Sequence, residues 1–367
     1  MKFCKIQDFC ITGSGSTPSR SRLEEYYGGN IPWVKSGELK NNIVLNTDEH
    51  VTDEGYKAAR LKLVPKGAIL VAMYGATVGQ ISELGLNATT NQAVCHIIPD
   101  PELCNSSYLK SYLKSRIREL QDKRVGGGQP NISQQIIKTL QIPLPPLEEQ
   151  KRIADILDKA DALRQKRKQA IAKLDTLLQS IFLDMFGDPI INPKGWEVIT
   201  LKELLDFKTG KLDSNAAAED GIYHFFTCSR ETYKINSFAF DCEALILSGN
   251  NASADYSVKY YSGKFNAYQR TYVLSLKNPE NTYRFFRYML EYKLKEFKRI
   301  SKGSNTKYLT LGLLHPIKVI QPSYGKQLEF NSKILAIEKH KAKLAMELES
   351  LETLFNSLQQ RAFKGEL

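Results

Sequence analysis

Displaced against itself by 177 residues, the chain matches at landmarks spread along its length. Ile69-Leu70 falls on Ile246-Leu247, Gln92 on Gln269, Gly126 on Gly303, Pro145 on Pro322, Gln150 on Gln327, Ser180 on Ser357 and Phe186 on Phe363. One such match means nothing. Seven in the same order mean a tandem duplication, and an internal repeat narrows the possible folds more than any other feature. The 367 residues are therefore read as two similar half-units in tandem.

Each half ends in a long amphipathic helix. In the first, Ile153, Leu157, Ala160, Arg164, Arg167, Ile171, Leu174, Leu178, Ile181 and Met185 recur at steps of four and three, and eight of the ten are apolar. The same offset yields Phe330, Ile334, Ile337, Lys341, Leu344, Leu348, Leu351, Phe355, Leu358 and Ala362, nine of them apolar. This is the a/d spacing of a heptad seam. Pro143, Pro145 and Pro146 mark where the first helix can begin, and Gly187-Asp188-Pro189 where it must stop. A helix of roughly 40 residues reaches about 60 Å at 1.5 Å per residue, and its stripe needs a partner to stay dry. The two helices are expected to pair as an antiparallel coiled coil with a globular domain at each end. The alternative is two separate helices, each packed on its own domain.

The rest of each half reads as mixed α/β (α+β). Ala68 to Met73 and Ala93 to Ile98 are short buried strands, with Gly75, Gly79 and Gly85 punctuating the turns between them, and Tyr108 to Arg124 is a helix. The second half repeats this with Ala244 to Leu247, Thr271 to Leu276 and a helix from about Thr282 to Ile300. Ile142-Pro143-Leu144 and Val319-Ile320-Gln321 are extended entries to the long helices. The expected domains are 1–146 and 189–325, with helices over 147–188 and 326–367.

Composition removes several classes. The N-terminal Met1-Lys2-Phe3-Cys4-Lys5-Ile6-Gln7-Asp8 has no apolar run of a secretion signal, and the longest such run, Ala68 to Tyr74, is far below the roughly 20 residues of a membrane span. The six cysteines include no C-x-x-C pair and the five histidines are scattered, so no metal site is expected. The thiols read as reduced and mostly buried, and the compartment as cytoplasmic. No cofactor is expected. G-x-x-x-x-G-K-[ST], H-E-x-x-H and G-x-S-x-G are all missing, and Pro145-Pro146 lies between Leu144 and Leu147, which cannot supply the polar and stacking groups of an amino-methyltransferase. The triplets Glu38-Leu39-Lys40, Glu291-Tyr292-Lys293 and Glu296-Phe297-Lys298 imitate a nuclease motif, but the last two fall in a predicted helix, whereas that chemistry needs a strand beside a metal-binding Asp. The chain is expected to be non-catalytic.

Lys and Arg number 51 against 40 Asp and Glu, a formal balance of +11. Such an excess suits a polyanion. It concentrates at equivalent places in the repeat: Tyr108 to Arg124 carries six basic against two acidic residues, and Tyr283 to Lys307 eight against two. Each stretch runs into a polar loop, 125–131 or 302–307, where glycines permit close backbone approach and Gln or Asn can pair with an adenine edge. The expected DNA-contacting set in the first half is Trp33, Lys35, Ser36, Tyr74, Thr77, Thr90, Asn91, Gln92, Lys123, Arg124, Gln129 and Asn131. In the second it is Thr227, Ser229, Arg230, Asn250, Asn251, Tyr268, Gln269, Arg270, Lys302, Ser304, Asn305 and Lys307, with Tyr256, Lys259 and Tyr260 as further candidates. Phosphate contacts would set register while a minority of these reach base edges. The competing account is a solvated helix face, packing aromatics and ordinary loops.

Several stretches together resemble the specificity subunits of type I restriction–modification enzymes, and the resemblance covers essentially the whole chain. They are Ile31-Pro32-Trp33-Val34, Gly67-Ala68-Ile69-Leu70-Val71, Thr90-Asn91-Gln92 and Ile142-Pro143-Leu144-Pro145-Pro146-Leu147-Glu148-Glu149-Gln150, with Pro193-Lys194-Gly195-Trp196 opening the second half and Ala362-Phe363-Lys364-Gly365-Glu366-Leu367 ending it. The second half departs at Tyr268-Gln269, which stands where the first has Asn91-Gln92, and at Val319-Ile320-Gln321-Pro322-Ser323. The resemblance implies two target-recognition domains, each reading one half of a bipartite site in double-stranded DNA. It also implies two modification (methyltransferase) subunits docked on the helices and motor-nuclease (restriction) subunits in the full complex. A type IIB-like specificity subunit would look the same, and a coiled-coil interaction scaffold without a DNA role is the reading from a different class.

Overall fold

The structure, a computed structural model, describes residues 3–122 and 132–367. It divides into two compact units: the described residues up to Lys168 together with Met346–Leu367, and Gln169–Ala345.

The first unit is built on strands β1 (Cys10–Ser14), β2 (Tyr27–Val34), β3 (Ile43–Val44), β4 (Ile69–Ala72), β5 (Ile81–Leu84), β6 (Thr89–Thr90) and β7 (Val94–Pro99). Its main sheet has the order β1-β7-β4-β5-β3. The apolar run at Ala68 becomes β4, buried at every residue, as its lack of alternation requires of a central strand. Helix α1 (Ser106–Ser115) starts where the Asn105 side chain accepts from Tyr108 N at 3.0 Å. It buries Tyr108, Leu109, Tyr112 and Leu113 with Ile69, Val71, Cys95 and Ile97 of the sheet. The single helix expected over Tyr108 to Arg124 is in fact interrupted: Arg116 N bonds to the carbonyls of both Tyr112 and Leu113, closing α1, and a separate short helix follows at Ile117–Asp122.

Phe3–Lys5 pairs antiparallel with Gln141–Pro143 and delivers the chain to helix α2 (Leu147–Phe186). Gln150, fully buried in the first turns of α2, fixes this junction. Its Oε1 accepts from Asn105 N at 2.9 Å, and its Nε2 donates to the carbonyls of Leu103 at 2.9 Å and Pro145 at 2.8 Å.

The second unit repeats the plan with β8 (Leu205–Thr209), β9 (Tyr223–Phe226), β10 (Thr232–Ile235), β11 (Phe240–Ser248), β12 (Val258–Ala267) and β13 (Thr271–Leu276), in the order β8-β13-β11-β12-β9-β10. Helix α3 (Tyr283–Ile300) covers it, and Val198–Thr200 pairs with Lys318–Ile320 ahead of helix α4 (Tyr324–Lys364). Gln327 repeats the junction: its Oε1 accepts from Thr282 N at 2.9 Å, and its Nε2 donates to Pro322 O at 2.9 Å and Asn281 Oδ1 at 3.0 Å.

The long helices run antiparallel to one another. Arg164 faces Glu352 and Arg167 faces Glu347 in the first unit, and Asp175 faces Lys341 in the second, so partner numbers fall as the α2 numbers rise. The twenty seam positions named from the sequence are all buried or half-buried. Its three cations are no exception, because each finds a carboxylate: Arg167 to Glu347 at 2.9 Å, Arg164 to Asp161 at 3.1 Å, and Lys341 to Asp175. Arg164 also lies 4.2 Å over the Phe355 ring.

The helix ends seal the units. Phe363 of α4 meets Tyr108 at 5.6 Å and Tyr112 at 5.0 Å, edge to face, in the first unit. Phe186 of α2 meets Phe285 at 4.8 Å and Phe330 at 5.5 Å in the second. All six cysteines are free, but only Cys95 and Cys104 are buried, contrary to the expectation for most of them, since Cys4, Cys10, Cys228 and Cys242 lie where one face meets solvent. Among the described residues no helix is long and apolar enough to cross a membrane, and no group of three or more His, Cys, Asp or Glu could hold a metal ion.

Replacing Phe363 by Ala is expected to destabilise the first unit by about 3–5 kcal/mol through the cavity it leaves. Hydrogen exchange should accelerate over Tyr108–Leu113, with protection of Phe285–Leu290 unchanged. Equal acceleration in both helices would show that Phe363 does not close one unit alone.

Candidate nucleic-acid interface

In the first unit three segments cross at Thr90-Asn91-Gln92. β2 ends parallel to β6, pairing Val34 with Thr90, and Asn91 N then donates to Val34 O at 3.0 Å. From the other side β1 leaves its sheet, and Ser16 N donates to Thr90 O at 3.0 Å. The contact is so close that a Cβ on Gly15 would stand 1.8 Å from the Thr90 carbonyl oxygen, so only glycine passes. Thr17 Oγ1 then donates to Gln92 Oε1, and the Gln92 side chain is exposed.

The second unit builds the same crossing from different side chains. Tyr268 N donates to Phe226 O at 2.9 Å, Gln269 N to Leu212 O at 2.9 Å, and a Cβ on Gly210 would stand 1.7 Å from the carbonyl oxygen of Ala267. Further loops join it. Gly249 N donates to Arg270 O at 2.9 Å, Cys228 Sγ to the same carbonyl at 3.3 Å, and Asn250 and Asn251 pair with Tyr308 and Lys307. Thr227, Ser229, Arg230, Asn250, Asn251, Tyr268, Gln269, Arg270, Lys302 and Lys307 are thus brought to one edge of the sheet, with Ser304 and Asn305 exposed in the turn before Lys307.

In the first unit Trp33, Lys35, Ser36, Thr90, Asn91 and Gln92 gather at the crossing. Tyr74 follows Met73, whose N donates to Ala93 O at 2.8 Å, so it lies beside Gln92, and Thr77 sits in the next turn. Lys123, Arg124, Gln129 and Asn131 lie outside the described residues.

Several candidates are already committed to the fold. Trp33 is buried and its Nε1 donates to Ser16 O at 3.0 Å, so its ring is not free to stack on a base. Thr90 and Tyr256 are buried, Thr227 is 7% exposed, and Tyr260 donates to Glu243 at 2.7 Å. Lys259 Nζ donates to the carbonyls of Ser229 and Glu231. Lys35 is held by Glu49.

The cationic helices also differ from a uniform charged face. Lys110 is buried against Glu83 at 2.9 Å and Lys293 against Glu296 at 3.0 Å, while Arg284 and Arg287 turn to Glu338 on α4 at 3.1 and 3.7 Å. A cation on the face that packs against another element must be paired, because burying it alone is costly. Among the described residues of these helices the exposed cations are Arg116 at the end of α1 and, in the C-terminal half of α3, Lys295, Lys298 and Arg299 leading to Lys302.

Arg20, absent from the expected set, joins the first site. Its guanidinium lies 4.3 Å over Tyr27 and 5.5 Å from the Trp33 ring, and its Nη2 is 2.6 Å from Glu49. Burial works to raise the Glu49 carboxyl, but hydrogen bonds from Lys35 and Arg20 hold it below its ordinary range. No local spacing could flag this group, whose members are brought together only by the fold. Thr90 Oγ1, Asn91 Oδ1 and His96 Nδ1 are buried without a partner among the described residues, which leaves polar capacity unspent in this unit. His96 packs under Gly13, and burial, aided by Lys62, lowers its imidazole to about 4.

The sheet-edge crossing is thus made twice, with polar side chains presented at each. The family model for the type I restriction modification DNA specificity domain matches residues 1–173 and 193–349, and the chain belongs to that family. It is 37% identical over 181 residues to the type I restriction enzyme EcoDI specificity subunit of Escherichia coli, a match covering 48% of this chain and 39% of that one. To the MjaIX specificity subunit of Methanocaldococcus jannaschii it is 26% identical over 370 residues, covering 89% and 84%. The fold is similar to the crystal structure of a type I restriction-modification S subunit from M. genitalium, with TM-score 0.65, 18% identity and coverage of 99% and 96%.

His96 gives the first site a pH signature. Its folded pKa of about 4 lies below the ordinary 6.5, so between those values the unfolded chain binds a proton that the folded chain refuses. Stability from this group is present above pH 6.5 and is lost as pH falls toward 4. Melting temperatures of the parent and of His96→Gln should therefore converge as pH is lowered through that window. A difference constant with pH would show that His96 is not kept neutral by the fold.

Proposed function

We propose that this chain is the DNA-recognition subunit of a type I restriction–modification complex, each unit reading one half of a bipartite site in double-stranded DNA. The observation that carries it is the duplicated crossing at Thr90–Gln92 and Ala267–Gln269, joined to a family whose name is DNA specificity. The site residues are those gathered at the two crossings, with Lys123, Arg124, Gln129 and Asn131 as further DNA contacts of the first half. Exposed Lys295, Lys298, Arg299, Arg270 and Lys302 supply attraction to phosphate, and exposed Gln92, Gln269 and Arg230 supply base contacts.

The chain performs no chemistry of its own in this reading. Two modification subunits dock on the paired helices and carry out methylation, motor-nuclease subunits join in the full complex, and the assembly works in the cytoplasm. The domains are 1–146 and 189–325, and helices α2 and α4 set the spacing between half-sites.

The deciding experiment exchanges residues up to about 146 for those of another family member and maps methylated sites genome-wide. Only one half of the bipartite site should change. A change in both halves would mean a shared readout surface and would overturn independent reading.

The spacing role has its own test. Seven residues inserted into each helix, near Arg167 and Leu344, preserve the seam and add about 10 Å at 1.5 Å per residue. At roughly 3.4 Å per base pair the preferred spacer should lengthen by about three pairs. Three pairs also rotate the second half-site by roughly 100°, so affinity is a poor readout and spacer preference across a library is the right one. An unchanged optimum would exclude the helices as the ruler.

A further inference from the structure

We propose that Arg230 reads a guanine in the half-site of the second unit through the major groove, and that Asp255 is its positioning residue; this rests on the DNA-reading function proposed above. Arg230 lies in the short loop between β9 and β10, and that loop is pinned on both sides of it. Lys259 Nζ donates to Ser229 O at 3.0 Å and Glu231 O at 2.8 Å, Ser229 N to Thr227 Oγ1 at 3.2 Å, and Glu231 N to Ser229 Oγ at 3.2 Å. The backbone is fixed while the side chain is 72% exposed.

Asp255 then fixes the side chain. Arg230 Nε donates to Oδ2 at 2.9 Å and Nη2 to Oδ1 at 2.6 Å, a side-on fork, and Asp255 N is itself held by Asn251 Oδ1 at 3.1 Å. The fork uses Nε and one proton of Nη2. The end-on edge, Nη1 with the second proton of Nη2, meets no protein acceptor among the described residues. Two parallel donors on a rigid edge match O6 and N7 of guanine, whereas adenine places a donor beside N7 and the pyrimidines lack such an acceptor pair.

A merely structural role explains the pair poorly, because exposed ion pairs add little stability and this one immobilises a long side chain. A phosphate clamp explains it poorly too: the neighbouring carboxylate offsets the charge that phosphate would seek but leaves the hydrogen-bonding geometry intact. Charge attraction is instead available from exposed Arg270 and Lys302 nearby.

The test uses the full chain and duplexes carrying each base pair at every position of the second half-site, over a range of salt. The parent should require a G·C pair at one position. Arg230→Ala should lower discrimination there by about 5- to 150-fold and leave the first half-site unchanged. Arg230→Lys should relax the same position, since an ammonium is a point charge without the planar fork. Asp255→Asn should relax that position alone, by a smaller factor. A uniform loss across sequences with the salt slope reduced by about one would identify a phosphate contact and overturn the proposal. So would a second half-site without guanine, or an Asp255→Asn variant with parental specificity. A parent chain with no sequence preference in either half would overturn the function proposed above, and this inference with it.

Discussion

Each unit depends on an aromatic helix end, and for the first unit sequence distance would never suggest that the end belongs to it. Phe363, four residues before the last, closes the core of the unit that begins the chain, and Phe186 does the same for the second. Buried aromatics carry large transfer energies and a directional ring term. Phe182 extends the second plug, stacking on Tyr292 at 4.9 Å and Phe285 at 5.7 Å. The seam between the helices is weaker in its middle, where Arg164, Arg167 and Lys341 replace aliphatics with half-exposed ion pairs of modest worth. Apolar plugs at the ends thus hold the helix pair in place, while the polar middle specifies register.

The entry to each long helix is controlled by a different physics. Gln150 and Gln327 are fully buried amides whose acceptor and donor are both satisfied by backbone from the segment just before α1 or α3 and by the proline carbonyl ahead of their own helix. A buried amide left half-paired would cost the desolvation of every group it serves. The short β pairs at Phe3–Lys5 and Val198–Thr200 stand beside these junctions, so sheet edge, covering helix and long helix meet at one point in each unit.

How much of this was legible follows from where the constraints lie. The 177-residue offset exposed Gln150 and Phe186 with their copies because both units use the same buried amide junction and the same aromatic plug. The seam was legible because helical periodicity is local. The start of each unit was not: Gly15 corresponds to Gly210, 195 residues on, and Val34 to Phe226, 192 on, since the loops ahead of Ile69 and Ile246 differ in length. Surface loops absorb insertions at little cost, so a fixed offset fails there. The cations of α1 and α3 were misjudged for a related reason. Spacing shows that Lys110, Arg284 and Arg287 lie on particular helix faces, but not that Glu83 and Glu338 wait opposite, 27 and 54 residues from Lys110 and Arg284.

The two crossings explain how a duplicated frame can serve different readings. Val34 O, Phe226 O, Thr90 O and Leu212 O, all backbone atoms, hold the turns, and glycine at 15 and 210 supplies the clearance. The presented side chains take almost no part in that scaffold. Asn91 in one unit can therefore be Tyr268 in the other without disturbing the fold, while Gln92 and Gln269 coincide. Backbone-held turns separate what must be constant from what must vary. Within the proposed function, the half-sites read by the two units are accordingly unlike in sequence, and the bipartite target is asymmetric although the frame that reads it is nearly a twofold repeat.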